Sequence, residues 1–236
     1  MAVDLATLSK SIPSSSNQPA QDIHKLWQVF ASTTSESCPS HYNFHMHTVA
    51  SDGRLQPEQL AEQAVMNGLQ GFAITDHHSI GGFLRAQEWL AQNAANAERP
   101  HLWSGLEINA GLLDCEVHIL CYGFDPDRSA LQRYTQGHSV AGVPYRAESV
   151  IKAAHEAGGL AVLAHPSRYR QPAATLIPEA ARLGIDGVET YYAYDNPTPW
   201  RPSPKRTALA RELGDRFGLL HTCGTDTHGL SLLRRI

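Results

Sequence analysis

Apolar runs in this chain repeatedly end on a ligand-type side chain, and that recurrence constrains its fold more than any other feature. Phe44-His45-Met46-His47-Thr48 holds two imidazoles two residues apart, with Ser51-Asp52-Gly53 close behind. Side chains on a strand alternate with period 2, so both imidazoles leave one face toward a common point beyond the sheet. Gly71-Phe72-Ala73-Ile74-Thr75 runs into Asp76-His77-His78, and the run 102–107 ends in Glu107. Val117-His118-Ile119-Leu120 carries a histidine inside a β-branched run, 160–164 is capped by His165-Pro166, and 219–224 leads into Thr225-Asp226-Thr227-His228. Ligands at the same end of successive strands are what a β/α barrel provides, because its C-terminal strand ends converge on one site.

The spacing between these runs predicts helices. Pro57 opens one that Gly68 stops, and others are expected over 83–97, 145–157, 176–183 and 203–217. Strands are expected from Tyr42, over 72–75, 103–108, 117–122, from 160, over 187–191 and over 219–223. About seven strands with mostly helical connections favour an α/β parallel barrel over a flat sheet. Residues 1–41, with the polar stretch SIPSSSNQPA, read as a partly disordered N-terminal arm holding one short helix near 22–30; residues 42–236 read as the barrel domain.

Composition narrows the function classes. The chain has 236 residues, a formal net charge of −4 and no Lys/Arg-rich stretch. An extended nucleic-acid backbone therefore finds no strong footprint. No apolar run approaches the ~20 residues of a membrane span, and the start lacks the pattern of a signal peptide. Cys38, Cys115, Cys121 and Cys223 contain no C-x-x-C pair, which argues against a disulfide framework or a thiolate zinc site and for a reducing cytoplasm. Cys115 and Cys121 flank the His118 strand as core or near-site thiols.

The donor set is imidazole and carboxylate without thiolate, which suits Mn, Fe or Zn. Clustered dications lower the pKa of a shared water toward neutrality and neutralise charge on phosphoryl oxygens. No side-chain nucleophile is then needed, and no Ser-His-Asp or Cys-His arrangement stands out. In their order along residues 42–229, the motifs above (His45-Met46-His47 with Asp52, Thr75-Asp76-His77, Gly105-Leu106-Glu107, His118, Ala164-His165-Pro166 and Thr225-Asp226-Thr227-His228) resemble those of the PHP (polymerase and histidinol phosphatase) superfamily. The resemblance implies a distorted (β/α)7 TIM-like barrel holding two or three divalent metal ions that hydrolyse phosphoesters. It implies that His45, His47, Glu107 and Asp226 hold one ion, that Glu107 bridges to a second held by His118 and His165, and that Asp52, His77 and His228 hold a third. Glu107, Asp226 and His228 then count as catalytic.

Arg168 sits two residues beyond Pro166, where a loop after a strand can offer a guanidinium fork to a phosphate, in a catalytic and substrate-binding role. Tyr191, with Tyr192 and Tyr194, either walls the pocket or covers the rim. His78 lies on the opposite strand face from His77 and reads as structural, and Asp76 reads as a carboxylate that orients an imidazole. Outside this context Asp52 would be an ordinary turn residue. The expected activity is hydrolysis of phosphomonoesters on a small phosphorylated substrate, nucleotides first, because the segment 125–143 is too short for a folded lid. Alternatives are an exonuclease on short oligonucleotides, a histidinol-phosphatase-like enzyme and a non-catalytic PHP scaffold. Amidohydrolase chemistry shares the barrel but often uses a strand lysine, and no strand here offers one.

Overall fold

The computed structural model describes residues 21–94 and 99–236. Its strands are β1 (Tyr42–Asn43), β2 (Gly71–Ala73), β3 (His101–Trp103), β4 (Gly105–Leu112), β5 (Cys115–Tyr122), β6 (Leu160–Leu163), β7 (Gly187–Tyr191) and β8 (Leu220–Cys223). Its helices are α1 (Ile23–Ala31), α2 (Pro57–Met66), α3 (Gly81–Asn93), α4 (Ser129–Gln132), α5 (Ala147–Glu156), α6 (Ala173–Arg182) and α7 (Pro204–Arg216). Asp22 caps α1 by accepting the Lys25 N–H at 3.0 Å, and Pro57 starts α2 where its missing N–H costs nothing. Residues 1–20 of the expected arm lie outside the described residues.

β1, β2 and β3 make a parallel sheet, while β4 to β8 make a second sheet in sequence order. That second sheet is antiparallel from β4 to β6 and parallel from β6 to β8. The fold is therefore α/β with one parallel and one mixed sheet, not the all-parallel set of about seven strands expected from the spacing. Two details cause the difference. The single run expected over 103–108 divides at Ser104, so β3 joins one sheet and β4 the other. β4 and β5 are joined through Leu113 and Asp114, both at positive φ (50° and 55°), which suits a tight hairpin and leaves no room for a crossover. Isolated parallel bridges, Met46 with Thr227 and His77 with Glu107, link the two sheets.

Strand alternation sorts the core. On β5, Val117, Ile119 and Cys121 pack among Val150, Ile151 and Ala154 of α5. Leu120 and Tyr122 take the other face, with Phe44, Trp103 and Val162. His118 shares the parity of that second face, as Glu107 does against Leu106 and Ile108 on β4. Leu26 and Phe30 of α1 belong to the same inner cluster, and Phe30 meets Phe44 edge-on at 4.9 Å. A third cluster packs α2 and α3 on the parallel sheet, with Leu232 fully buried in it.

The structure also corrects the cysteine reading. Cys38 and Cys223 form a disulfide with a Cα–Cα distance of 5.9 Å across 185 residues of sequence. Spacing reveals only local pairs, and β8 brings these two together through tertiary contact. Cysteine usage thus no longer argues for a reducing compartment. Cys115 and Cys121 are free and buried. Among the described residues no helix is long and apolar enough to cross a membrane.

Gly224 marks where the exit of β8 meets the segment after β1. A Cβ there would overlap the Cβ of His45 and stand 2.6 Å from the His45 nitrogen. Two backbones cannot give way as a side-chain tip can. Gly224→Ala should therefore cost about 1–3 kcal/mol or more by overpacking, read as a lower urea midpoint at unchanged slope. An unaltered midpoint would show that the two segments are not in contact.

Candidate metal centre

His45 and His47 lie beyond β1 in an extended segment held on both sides. Asp226 N–H donates to His45 O at 2.8 Å, His47 N–H to Thr227 O at 3.0 Å, and Thr75 N–H to Met46 O at 2.9 Å. These bonds give residues 44–47 the alternation of a strand, so both imidazoles project inward. Glu107 comes from β4, His118 from β5, His165 from just past β6, and Asp226 and His228 from just past β8. His77 follows β2, and Asp52 lies in the turn after His47.

Glu107, 1% exposed, is the hub. Its Oε2 lies 3.0 Å from His45 Nε2, 3.0 Å from His47 Nε2 and 3.5 Å from His77 Nε2. Its Oε1 lies 2.7 Å from His118 Nδ1 and 3.4 Å from His165 Nε2. Asp226 Oδ1 adds contacts of 3.4 Å to His45 Nε2 and 3.2 Å to His47 Nε2. Asp52 meets His228 Nε2 at 3.2 Å.

Three ligand groups result: His45, His47, Glu107 and Asp226; His77, Glu107 and His118; and His47, Asp52, His77 and His228. The structure thus brings eight of the nine sequence-expected ligands into these groups, and the ninth, His165, lies against Glu107 Oε1 outside them. It differs in the grouping, because His77 joins Glu107 and His118 where His165 was expected, and His47 also joins the Asp52 group. His45, His47, Glu107, His165 and Asp226 form a buried floor. His77, His118, His228 and Asp52 form its more accessible rim.

These groups suit divalent ions on two counts. Ligand atoms that share an ion at about 2.0–2.2 Å stand roughly 3.0–3.5 Å apart, which is the spacing around Glu107. In addition, His47 Nδ1 and Nε2, His77 Nδ1 and His165 Nδ1 are buried without a hydrogen-bond partner among the described residues. Lone pairs of imidazole and carboxylate facing each other at such distances require a cation or a proton between them.

Several residues hold the ligands without joining them. Glu189 is fully buried on β7; its Oε1 meets His45 Nδ1 at 2.9 Å and its Oε2 accepts the His165 N–H at 2.8 Å. A carboxylate inside an otherwise apolar strand was its sequence signal, and it passed unread. Among the described residues Asp76 bonds no imidazole, contrary to expectation. It accepts Thr48 N–H at 2.6 Å, Thr48 O–H at 2.7 Å and Ser51 O–H at 2.8 Å, which shapes the turn that presents Asp52. His78 bonds Asn109 at 3.2 Å, as a structural residue would.

Arg168 Nη1 donates to Asp226 Oδ2 at 2.9 Å and to the Tyr192 hydroxyl at 3.2 Å. Tyr192 O–H donates to the same Oδ2 at 2.6 Å. Tyr191, the tyrosine expected at the pocket, packs instead in the inner cluster, and its hydroxyl accepts from Arg211 on α7 at 2.8 Å. A register shift between Glu189 and Tyr191 alters how β7 exits, so Tyr192 is the tyrosine that reaches the site. Arg235 Nε also donates to Asp226 Oδ2, at 2.9 Å, from a segment that carried no sequence signal.

Burial and charge pull the imidazoles in opposite directions. Burial lowers His45, but Glu189, Glu107 and Asp226 outweigh it and hold the group well above its ordinary value. Burial likewise lowers His47, and its approach to Asp226 and Glu107 raises it to about 9. Burial would raise Glu107 and Asp226, but the surrounding imidazoles hold both well below the usual carboxylate range. Burial pushes His77 down to about 4, so it is neutral at pH 7 with a lone pair to offer. His165 and Asp226 also sit at positive φ (23° and 53°), a backbone strain typical of functional sites.

A family model described as the PHP domain matches residues 43–198. A 5'-3' exoribonuclease Rnm of Salmonella typhimurium is 32% identical over 93 residues, covering 39% of this chain and 31% of its own. A 3',5'-nucleoside bisphosphate phosphatase of Chromobacterium violaceum is 34% identical over 89 residues, 38% of this chain and 30% of its own. The matches to these relatives thus span just under a third of their length. A phosphoribosyl 1,2-cyclic phosphate 1,2-diphosphodiesterase of Eggerthella lenta is 24% identical, with 79% of this chain and 94% of its own covered. Among solved structures, one from Bifidobacterium adolescentis, proposed as a metal-dependent phosphoesterase, superposes with a TM-score of 0.66 at 22% identity, over 81% of this chain and 88% of that one. An amidohydrolase from Chromobacterium violaceum superposes equally well, with a TM-score of 0.66 at 20% identity, over 80% and 88% of the two chains. At these identities both describe the fold.

In the metal-free protein, His47 at about 9 stands above the ordinary imidazole value of 6.5. Its contribution to stability is present in full below pH 6.5 and is lost as pH rises through about 9. Divalent ions take the imidazoles neutral, which removes this dependence. Metal-stripped protein should therefore lose melting temperature over that interval, by the equivalent of roughly 3 kcal/mol for His47, and excess Mn2+ should flatten the loss. Calorimetric scans with and without chelator check this; a stripped protein equally stable at both ends would contradict it.

Proposed function

The chain belongs to the PHP domain family, and from that premise we propose that it is a metal-dependent phosphoesterase hydrolysing phosphomonoesters, with nucleotides the preferred class. The observation that carries this reading is Glu107, one buried carboxylate shared by five imidazoles beside a second carboxylate, Asp226. Relatives named as an exoribonuclease, a bisphosphate phosphatase and a cyclic phosphate diphosphodiesterase all cleave P–O bonds, which supports the reaction class. We read the two sheets and their two bridges as a distorted (β/α)7-type barrel, with the site at the strand ends.

The nine ligands would hold two or three divalent ions of Mn, Fe or Zn. When bound, such ions supply Lewis acidity toward phosphoryl oxygens and an activated water at neutral pH. The chain's own residues do the rest. Glu107 sets the separation of neighbouring ligand groups from one rigid strand. Glu189 fixes the ring of His45 through Nδ1 and leaves its Nε2 facing the centre. Tyr192 and Arg168 hold Asp226 by Oδ2, so that Oδ1 stays turned to His45 and His47. Among the described residues Arg168 spends only Nη1, so its remaining N–H groups can donate to a phosphoryl oxygen. Only the four-residue α4 is folded within the segment expected to be lidless, which leaves the rim open to a small substrate.

Turnover of mononucleotides, p-nitrophenyl phosphate and a 5'-labelled oligonucleotide under Mn2+ tests the substrate class. Monoester hydrolysis should dominate; efficient stepwise shortening of the oligonucleotide with negligible monoester cleavage would favour the exonuclease reading instead. Glu107→Gln should abolish turnover and lower metal content, because the neutral amide no longer offsets adjacent cations. Glu189→Gln keeps the shape but loses the charge behind His45. It should weaken metal affinity about 10- to 100-fold, measured by competition with a chromophoric chelator.

A further inference from the structure

Asp226 divides its two oxygens between two tasks. Oδ1 faces the imidazoles of His45 and His47, while Oδ2 takes donors from Tyr192, Arg168 and Arg235. One carboxylate charge is thus met by two guanidinium charges, and the same carboxylate is a ligand on its other oxygen. The site consequently carries positive charge beyond what orienting Asp226 needs, since Tyr192 and one arginine would suffice for that.

Arg235 is also built in, not loosely draped. Its backbone oxygen accepts the His228 N–H at 2.7 Å, which ties it to a candidate ligand. Leu232, three residues earlier, is fully buried; its oxygen accepts from Asn43 at 2.8 Å and from Thr225 at 3.0 Å. Thr227 O–H donates to Ser231 O at 2.8 Å, and the Leu232 N–H donates to Gln63 at 3.0 Å. Held in this way, the Arg235 side chain is 22% exposed and that of Arg168 is 38% exposed. Arg235 uses Nε on Asp226, so both of its Nη groups lack a protein partner among the described residues. Arg168 uses Nη1 and keeps Nε and Nη2. Two half-used forks flank one metal-facing carboxylate.

We propose that Arg235, with Arg168, grips the non-bridging oxygens of the reacting phosphate and makes the site select doubly charged monoesters over singly charged diesters. This rests on the phosphoesterase reading above. A monoester phosphate carries a charge of about −1.5 to −2 at pH 7 and three acceptor oxygens. A diester has one charge and two such oxygens, so it leaves the second guanidinium unmatched. A fork fixed by Nε presents its two Nη groups side by side, the geometry that suits two oxygens of one phosphoryl group.

Metal-loaded wild type, Arg235→Gln and Arg235→Lys are compared on p-nitrophenyl phosphate and bis(p-nitrophenyl) phosphate, with inorganic phosphate affinity measured by titration calorimetry and metal content by mass spectrometry. Arg235→Gln should raise the monoester KM and weaken inorganic phosphate binding about 10- to 100-fold, the size of one charge-assisted hydrogen bond pair. The monoester-to-diester ratio of kcat/KM should fall with them, at unchanged metal content. Arg235→Lys should recover part of the loss, and it keeps the proposal testable if the glutamine variant folds poorly. Unchanged phosphate affinity and ester ratio would overturn the assignment. So would equal losses on both esters that track a loss of metal, since Arg235 would then only position Asp226. If the wild type cleaved neither ester, the phosphoesterase reading would fail separately, and the phosphate titration would still uphold or overturn the role of Arg235.

Discussion

A single buried carboxylate, Glu107, is the interaction on which the rest of this structure depends. A carboxylate almost fully removed from water is strongly disfavoured unless cations or donors surround it. Here five imidazoles do so, and they arrive from four separate places in the chain. The backbone is bound into the same arrangement: the Glu107 N–H donates to Asp76 O, and the His78 N–H donates to Glu107 O. The seam between the two sheets therefore runs through the residue that also gathers the ligands. Fold and site share one residue, so neither can relax without the other.

Around that hub the ligands are fixed by a set of groups outside the three ligand groups. Glu189 sets the His45 ring, Asp76 shapes the turn carrying Asp52, and Tyr192 with two arginines sets Asp226. Such support makes a strained backbone tolerable at His165 and Asp226, whose positive φ values would otherwise be a net cost. The apolar layers contribute rigidity from behind. Phe44, one residue before His45, is wedged among Phe30, Trp103 and Tyr122. A site built on such packing keeps its ligand spacing with little reorganisation, which is the property electrostatic catalysis needs.

Much of the candidate site was legible in the sequence because ligand chemistry is carried by residue type. Imidazoles and carboxylates at the ends of apolar runs are visible one residue at a time, and period-2 alternation tells which of them share a face. That reasoning reached all eight members of the ligand groups, and His165 beside them. Glu189 obeyed the same logic, a charged residue inside an apolar strand, and could have been found by it. The partner expected for Asp76 is not the one it has, because its donors lie in a turn whose closure depends on Thr48 and Ser51 folding back.

What the sequence by itself determined, then, was the alternation of strands and helices and the imidazole and carboxylate side chains that gather around Glu107. These follow from local periodicity and from the chemistry of each side chain. Only the tertiary structure decided the split of one expected strand at Ser104, the antiparallel turn of β4 against β5, and the bond from Cys38 to Cys223. It alone decided that Tyr192 and not Tyr191 reaches Asp226, and that Arg235 returns to join it. Each of these depends on pairs far apart in sequence, and their meeting is set by how whole layers pack, a property that no short stretch of residues encodes.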